Sequence, residues 1–169
     1  MCAGCAAGYY STLTDTVNCT ACGGGSYSAT VGALVASVCT GCVAGKFSTL
    51  AGASSVSLSS SCAAGTYTAT TGLTTCTNCA AGTYSTALAA GAAATCVNCA
   101  MGSYSTSSAS TGCVQCMGGL YSLTSAATTS HACMACGLGK YSTALGASVA
   151  STCAACVAPN YYAAIGSTA

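Results

Sequence analysis

The chain has 169 residues, of which 17 are Cys and only three are charged: Asp15, Lys46 and Lys140. A formal net charge of +1 cannot neutralise a run of nucleic-acid phosphates or hold the chain to an anionic membrane surface, so we expect neither partner. A Cys content of about a tenth is typical of a disulfide scaffold, which favours an extracellular location, secreted or at the cell surface.

No segment has the roughly 18 consecutive apolar residues of a transmembrane helix, and the first residues lack the basic and apolar regions of a secretory leader. We therefore expect no membrane span. We also expect the chain to be a mature segment or a fragment of a secreted protein.

One repeat runs through the chain. It begins with Cys-x-x-Cys, continues with x-x-Gly-x-Tyr-Ser, and ends with a variable stretch before the next Cys-x-x-Cys. Nine copies begin near positions 2, 19, 39, 59, 76, 96, 113, 133 and 153, at steps of 17 or 20 residues. Ser59 stands where the fourth copy should have its first Cys. We predict one continuous array over residues 1–169.

Each repeat predicts the same local elements in the same order. The Gly supplies the positive φ of a tight turn, and the aromatic residue with the following Ser and Thr favours a short strand. The three-residue difference in step falls between the aromatic and the next Cys, which predicts a loop or hairpin tip there. Frequent Gly and Cys interrupt any helical period, so no helix longer than about two turns is expected.

The aromatic residues recur at a fixed offset from Cys, so we predict that they form one rib, each packed against a neighbouring disulfide or aromatic ring. A carbohydrate-stacking platform is the alternative. The series is Tyr10, Tyr27, Phe47, Tyr67, Tyr84, Tyr104, Tyr121, Tyr141 and Tyr161.

A single repeat is too small to fold alone, so it must stack on its neighbours. The expected fold is a small, disulfide-rich β and loop structure: an elongated solenoid of nine Cys-x-x-Cys…Gly-x-Tyr repeats of 17 or 20 residues.

The cysteine spacing also fits zinc sites. A four-thiolate zinc site carries a net charge of about −2, and two lysines cannot offset several such sites. A redox role is disfavoured because the many copies of Cys-x-x-Cys have no supporting βαβ pattern. Disulfides are the favoured interpretation, and we expect no metal and no cofactor.

No catalytic set can be assembled from the few polar groups. His131 is the single His, and Asp15 is the single acid, so paired-carboxylate chemistry is excluded and His131 is expected to be a surface loop residue. Lys46 and Lys140 share one repeat position and are expected to be solvated. We therefore predict that the chain is not an enzyme.

Glycans are the expected partners besides the chain itself. Asn18-Cys19-Thr20 is the one N-glycosylation sequon, with Asn18 as the acceptor. The Ser- and Thr-rich stretches are candidate O-glycan sites by composition.

The motif Cys79-Ala-Ala-Gly82-Thr-Tyr84-Ser, followed by Cys96-Val-Asn-Cys99, resembles the ephrin-receptor-like cysteine-rich repeat and the first module of tumour-necrosis-factor-receptor cysteine-rich domains. The resemblance covers residues 2–162. Similar repeats occur in surface proteins of ciliates, algae and other protists, including flagellar-hair proteins. The resemblance implies an extracellular, oxidised, elongated module without catalytic residues.

The resemblance also implies a pairing, in which the Cys before Gly-x-Tyr bonds to the first Cys of the next repeat. Cys42 is then unpaired, because Ser59 replaces its partner. Cys2 and Cys156 are each left without a partner in this series, and a disulfide between them could join one segment to the next. Pairing first with first and second with second Cys in adjacent repeats stays open. The implied bonds are Cys5–Cys19, Cys22–Cys39, Cys62–Cys76, Cys79–Cys96, Cys99–Cys113, Cys116–Cys133 and Cys136–Cys153.

These features predict an extracellular structural protein, a subunit or segment of a filament, stalk or surface fibre that associates with itself. So little charge would not keep a lone chain in solution. The alternative is a receptor-like or adhesive cysteine-rich ectodomain that binds a protein or glycan ligand.

Overall fold

A computed structural model describes residues 4–13, 18–157 and 165–168. These residues form sixteen strands of two residues each and five 3₁₀ turns of three residues each, with no α-helix among them. The fold is therefore a small, disulfide-rich strand and loop structure, which confirms the predicted class.

The strands pair in chain order into eight antiparallel hairpins. In each hairpin the aromatic residue of one repeat faces the second residue of the next Cys-x-x-Cys motif, as Tyr84 faces Val97 and Tyr104 faces Val114. The bounds are β1 Tyr9–Tyr10, β2 Thr20–Ala21, β3 Ser26–Tyr27, β4 Thr40–Gly41, β5 Lys46–Phe47, β6 Ser60–Ser61, β7 Thr66–Tyr67, β8 Thr77–Asn78, β9 Thr83–Tyr84, β10 Val97–Asn98, β11 Ser103–Tyr104, β12 Val114–Gln115, β13 Leu120–Tyr121, β14 Met134–Ala135, β15 Lys140–Tyr141 and β16 Ala154–Ala155.

The three-residue difference between repeats is one 3₁₀ turn within the loop of the hairpin, where the insertion was predicted. The repeats of 20 residues have this turn at Ala36–Val38, Val56–Leu58, Ala93–Thr95, Ser130–Ala132 and Ala150–Thr152. The same connection in two repeats of 17 residues, over 68–76 and 105–113, has none. Because a 3₁₀ helix has about three residues per turn, the three inserted residues form one whole turn, which lengthens the loop without changing the pairing at its base. The Cα–Cα distance is accordingly 5.7 Å across both the short Cys99–Cys113 and the long Cys116–Cys133 connection.

The chain divides into two compact units, Met1–Asn78 with Ala87–Thr95, and Cys79–Thr86 with Cys96–Ala169. We call these the first unit and the second unit. A single continuous array over residues 1–169 stays a prediction.

Within each unit, backbone hydrogen bonds join a hairpin to the next one. In the second unit the Gly82 N–H donates to the Ser105 carbonyl (2.9 Å), and the Ser105 N–H donates to the Ala127 carbonyl (3.0 Å). In the first unit the Gly25 N–H donates to the Ser48 carbonyl in the same way (2.7 Å). Each of these repeats therefore pairs some of its backbone N–H groups with carbonyl groups of the repeat that follows it.

The buried core consists of small side chains, because neighbouring backbones approach closely. The second Cys is buried in eight of the nine motifs, with at most 6% exposed, at Cys5, Cys22, Cys42, Cys62, Cys79, Cys99, Cys116 and Cys136. The hydroxyl residue after each aromatic is buried as well, at Ser11, Ser28, Ser48, Thr68, Ser85, Ser105, Ser122 and Ser142. Five alanines complete the core, at Ala33, Ala53, Ala90, Ala127 and Ala147.

The repeat glycine is required by both conformation and packing. Gly102 has φ +82°, and a Cβ on it would lie 2.1 Å from the carbonyl oxygen of Gly146. Gly119 has φ +80°, and its Cβ would lie 2.0 Å from the carbonyl oxygen of Gly166. Glycine alone tolerates this φ at no steric cost and leaves room for the second backbone. The predicted positive φ is confirmed at Gly8, Gly25, Gly45, Gly65, Gly82, Gly102, Gly119 and Gly139.

Candidate functional site

Seven disulfides hold the hairpins closed, and they are the same seven pairs that the resemblance implied. Each bond spans the base of one hairpin loop, with Cα–Cα distances of 5.5 to 5.8 Å. Pairing of first with first and second with second Cys is not formed. Because these 14 sulfurs are oxidised, they are not available as thiolate ligands for a metal ion.

One hairpin lacks its disulfide, as the substitution at position 59 predicted. Cys42 is a buried free thiol, and its Sγ contacts the Oγ of Ser59. The hairpin still forms, with Phe47 opposite Ser60. The strand register at this position therefore does not need the covalent bond.

The structure describes one of the two cysteines that are predicted to join successive copies. Cys156 is a free thiol and is half-buried. Cys2 lies outside the described residues, and so does Asp15. A Cys156–Cys2 bond between successive copies stays a prediction.

The aromatic side chains are half-buried, and none of the eight described ones belongs to the fully buried core. Tyr84 shares a surface recess with Cys113, and Tyr104 shares an equivalent recess with Cys133. These two rings therefore lie beside the disulfide of the following repeat. A continuous aromatic rib stays a prediction, and Tyr161 lies outside the described residues.

The buried hydroxyl after the aromatic was missed by the sequence analysis. The Ser28 and Ser122 Oγ atoms accept hydrogen bonds from the backbone N–H two residues later, at 3.2 and 3.3 Å, which is the geometry of a hydroxyl-stabilised turn. Thr68 Oγ1 instead accepts from the Gly45 N–H at 2.7 Å. In the described part of the chain every buried side-chain N or O atom has a hydrogen-bond partner. The signal was the Ser or Thr that follows the aromatic in eight of the nine repeats.

The few polar candidates lie apart from one another in the fold. His131 is exposed in the 3₁₀ turn Ser130–Ala132. Lys140 is exposed and Lys46 is half-buried, each at the start of a strand. Asn18 and Thr20 are exposed on either side of Cys19, which is bonded to Cys5. Glycosylation of Asn18 is therefore sterically open.

The surface is unusually apolar. Of the described residues, 21 large apolar side chains are exposed, in a chain that has only three charged residues. Several lie in the loops that follow the aromatics, such as Val31 (70% exposed), Leu88 (74%) and Leu145 (67%).

A second group lies on one series of hairpins in the second unit. We call residues 97–103, 114–120 and 134–140 the hairpin face; each segment runs from the second strand of one hairpin to the first strand of the next. Its exposed apolar side chains are Val97, Met101, Val114, Met117, Met134 and Leu138.

Comparison with protein-family models and with curated proteins finds no match. The resemblance to receptor-like cysteine-rich repeats therefore stays a prediction. Over the described ranges, no helix has the length and apolar character needed to cross a membrane. The chain is a small, cysteine-rich protein with disulfide bonds. These disulfides fit an extracellular or secreted location.

Proposed function

We propose that the chain is an extracellular structural protein, a subunit or segment of a filament, stalk or surface fibre. In this proposal its nine repeats stack into an elongated solenoid, and the chain associates with further copies or continues as a longer array of the same repeats.

The apolar, almost uncharged surface is the observation that carries the proposal. A soluble domain of this size relies on many charged side chains to keep copies apart, at roughly a quarter of its residues. Here the described surface instead exposes Val and Leu in both units, and Met in the second. Covering this surface by neighbouring copies removes the apolar area from water, and glycans on the Ser- and Thr-rich loops would cover part of it too.

The recurring bonds between hairpins support the solenoid. Six described repeats make the same bond toward the next one, from the N–H of the repeat glycine to the carbonyl of the residue after the next aromatic, as in Gly102 N–H to Ser122 carbonyl (3.0 Å) and Gly119 N–H to Ser142 carbonyl (2.7 Å). Repeats that use the same contacts along the chain can be extended without limit and need a distinct cap or a partner at each end.

The chemistry of the two terminal motifs supports growth in series. In eight motifs the second Cys meets the first position of the next motif, as a disulfide in seven and as a contact with Ser59 at Cys42. Cys156 is the second Cys of the last motif, and it is free. Its bond to Cys2 of a following copy would continue the same order.

Electrophoresis of native material tests the proposal. Linked copies give a non-reducing ladder that collapses to one small band under reductant, whereas a longer polypeptide of the same repeats gives one very large band in both lanes. A soluble monomer at the formula mass of 15.9 kDa without reductant contradicts the proposal and favours a receptor-like or adhesive ectodomain.

A further inference from the structure

We propose that the hairpin face of the second unit is a dimer interface, which pairs with the same face of a second copy of this chain. The inference rests on the proposed function and names the surface on which copies meet side by side.

The hairpin face is rich in exposed Met and Val side chains. Three of the four Met residues of the chain lie on it, with Met101 exposed at 48%, Met117 at 69% and Met134 at 41%. Methionine is flexible and polarisable, and it is frequent at surfaces that adapt to a partner. Val97 begins β10 and Val114 begins β12, and both are also more than half exposed.

The first unit shows that the hairpin itself does not need these apolar side chains. The residue after the first Cys position is Val97, Val114 or Met134 on the face. The equivalent strand positions of the first unit are polar and exposed, at Thr20, Thr40, Ser60 and Thr77. Because the strand pairing is the same in both units, the apolar residues are explained by an external contact rather than by folding.

Three of the apolar side chains, Val97, Val114 and Met117, line two surface recesses. One recess is lined by Tyr104, Val114, Met117 and Leu120 among others. The preceding recess is lined by Tyr84, Val97 and Asn98 among others, and Gln115 lines both. The two recesses therefore adjoin, with exposed apolar side chains beside hollows of a size that a side chain can fill.

A second copy is the occupant that fits this face. Its three segments have seven residues each, and 16 of these residues are not buried. With the cross-strand residues Tyr84, Tyr104 and Tyr121, the face offers about 19 residues, close to the roughly 20–30 per partner of a standard interface. Lys140 is its only charged residue, so two copies meet without strong repulsion and no charged partner is selected.

The repeat itself also favours a second copy. A row of equivalent hairpins has its ridges and recesses at one spacing, and an identical row has the same spacing. Two such rows related by a two-fold axis can place each Met or Val opposite a recess of the partner. Two-fold pairing of identical surfaces is the commonest way in which protein subunits associate.

Sedimentation velocity of the full chain over a range of concentrations tests the inference. Non-reducing electrophoresis of the same samples separates covalently linked copies from docked ones. Met117→Glu places two like charges across the two-fold axis and is expected to weaken the non-covalent dimer at least about tenfold. Val43→Glu is the matched control, because Val43 holds the same repeat position in the first unit and is 53% exposed; this variant should dimerise like the natural chain.

A second variant guards against a failure of Met117→Glu to fold. Val97→Thr with Val114→Thr gives the face the residue type that the first unit already uses on the same strands, and it should also lose the dimer. Full weakening in both face variants, with normal dimers for Val43→Glu, supports the inference. Dimers of unchanged affinity in the face variants overturn it and leave the proposed function standing. A natural chain that stays monomeric at every concentration overturns both.

Discussion

Replacing Ser59 with Cys should close an eighth disulfide, to Cys42, and stabilise the first unit. Cys42 is fully buried, and its Sγ already contacts the Ser59 side chain. The flanking hairpin has Phe47 opposite Ser60, as the disulfide-closed hairpins have their aromatic opposite the equivalent position. The new Sγ atom would therefore meet its partner without a change of backbone.

The size of the effect follows from the length of the loop. Cys42 and position 59 are 17 residues apart, the same separation as in Cys22–Cys39, whose Cα atoms are 5.6 Å apart. Closing a loop of this length stabilises the folded state by about 3 kcal/mol in the chain-entropy account. The lost contact of Cys42 with the Ser59 hydroxyl offsets at most about 1 kcal/mol. A net gain of about 2–3 kcal/mol should raise Tm by roughly 4–12 °C for a chain of this size.

Two measurements test whether the eighth disulfide forms and whether it stabilises the protein. Thiol titration in denaturant should find one free thiol fewer in Ser59→Cys than in the natural chain, because one Cys is added and two are consumed. Thermal unfolding without reductant, followed by circular dichroism, should give the increase in Tm. Ser60→Cys is the matched control: it adds a Cys on the neighbouring, exposed residue of β6, whose side chain points to the opposite side of the strand.

The control variant should show one thiol more and an unchanged Tm. If Ser59→Cys also shows one thiol more, the Cys42–Ser59 contact does not have disulfide geometry. If the bond forms but Tm does not rise, the missing bond does not weaken the natural chain, and the reasoning from loop closure is wrong.

Two further substitutions test the packing between repeats by chemical denaturation. Gly102→Ala places a methyl group against the Gly146 carbonyl oxygen at a positive φ and should lower the free energy of unfolding by about 2–4 kcal/mol. Gly112→Ala is the control, because Gly112 has no close neighbour, and it should change stability by less than about 0.5 kcal/mol. Equal effects of the two variants would contradict the close approach of the backbones. Ser122→Ala removes the hydroxyl that accepts a hydrogen bond from the Thr124 N–H and should lower the free energy of unfolding by about 1 kcal/mol. Thr124→Ala is the control, because it keeps that N–H, and it should leave stability unchanged. Unchanged stability in Ser122→Ala would show that the hydroxyl does not stabilise the turn.

The local elements were predictable because the residues that determine them are close in sequence. The Gly at a fixed offset from Cys predicts the tight turn, and the aromatic with its following Ser predicts the short strand. The disulfide pairs came from the resemblance, since parity alone left another pairing open. The position of the three-residue insertion was also predictable, although its form as one 3₁₀ turn was not.

The burial of side chains was harder to predict, because it depends on contacts between repeats. Gly102 lies against Gly146, which is 44 positions later in the chain, and such approaches leave room only for Cys, Ser, Thr and Ala between the backbones. Tyr84 and Tyr104 are therefore half-buried beside the disulfide of the following repeat rather than in the core. The same distances in sequence explain why the buried role of Ser122 and the apolar series from Val97 to Leu138 went unnoticed.

Negative-stain electron microscopy of native material, prepared without reductant, tests the central claim most directly. The proposed structural role predicts thread-like filaments, or fibres of laterally paired threads. These should shorten when the material is treated with reductant if Cys156 joins successive copies. Separate particles of one chain each, at concentrations where the sample is otherwise stable, would contradict the structural role.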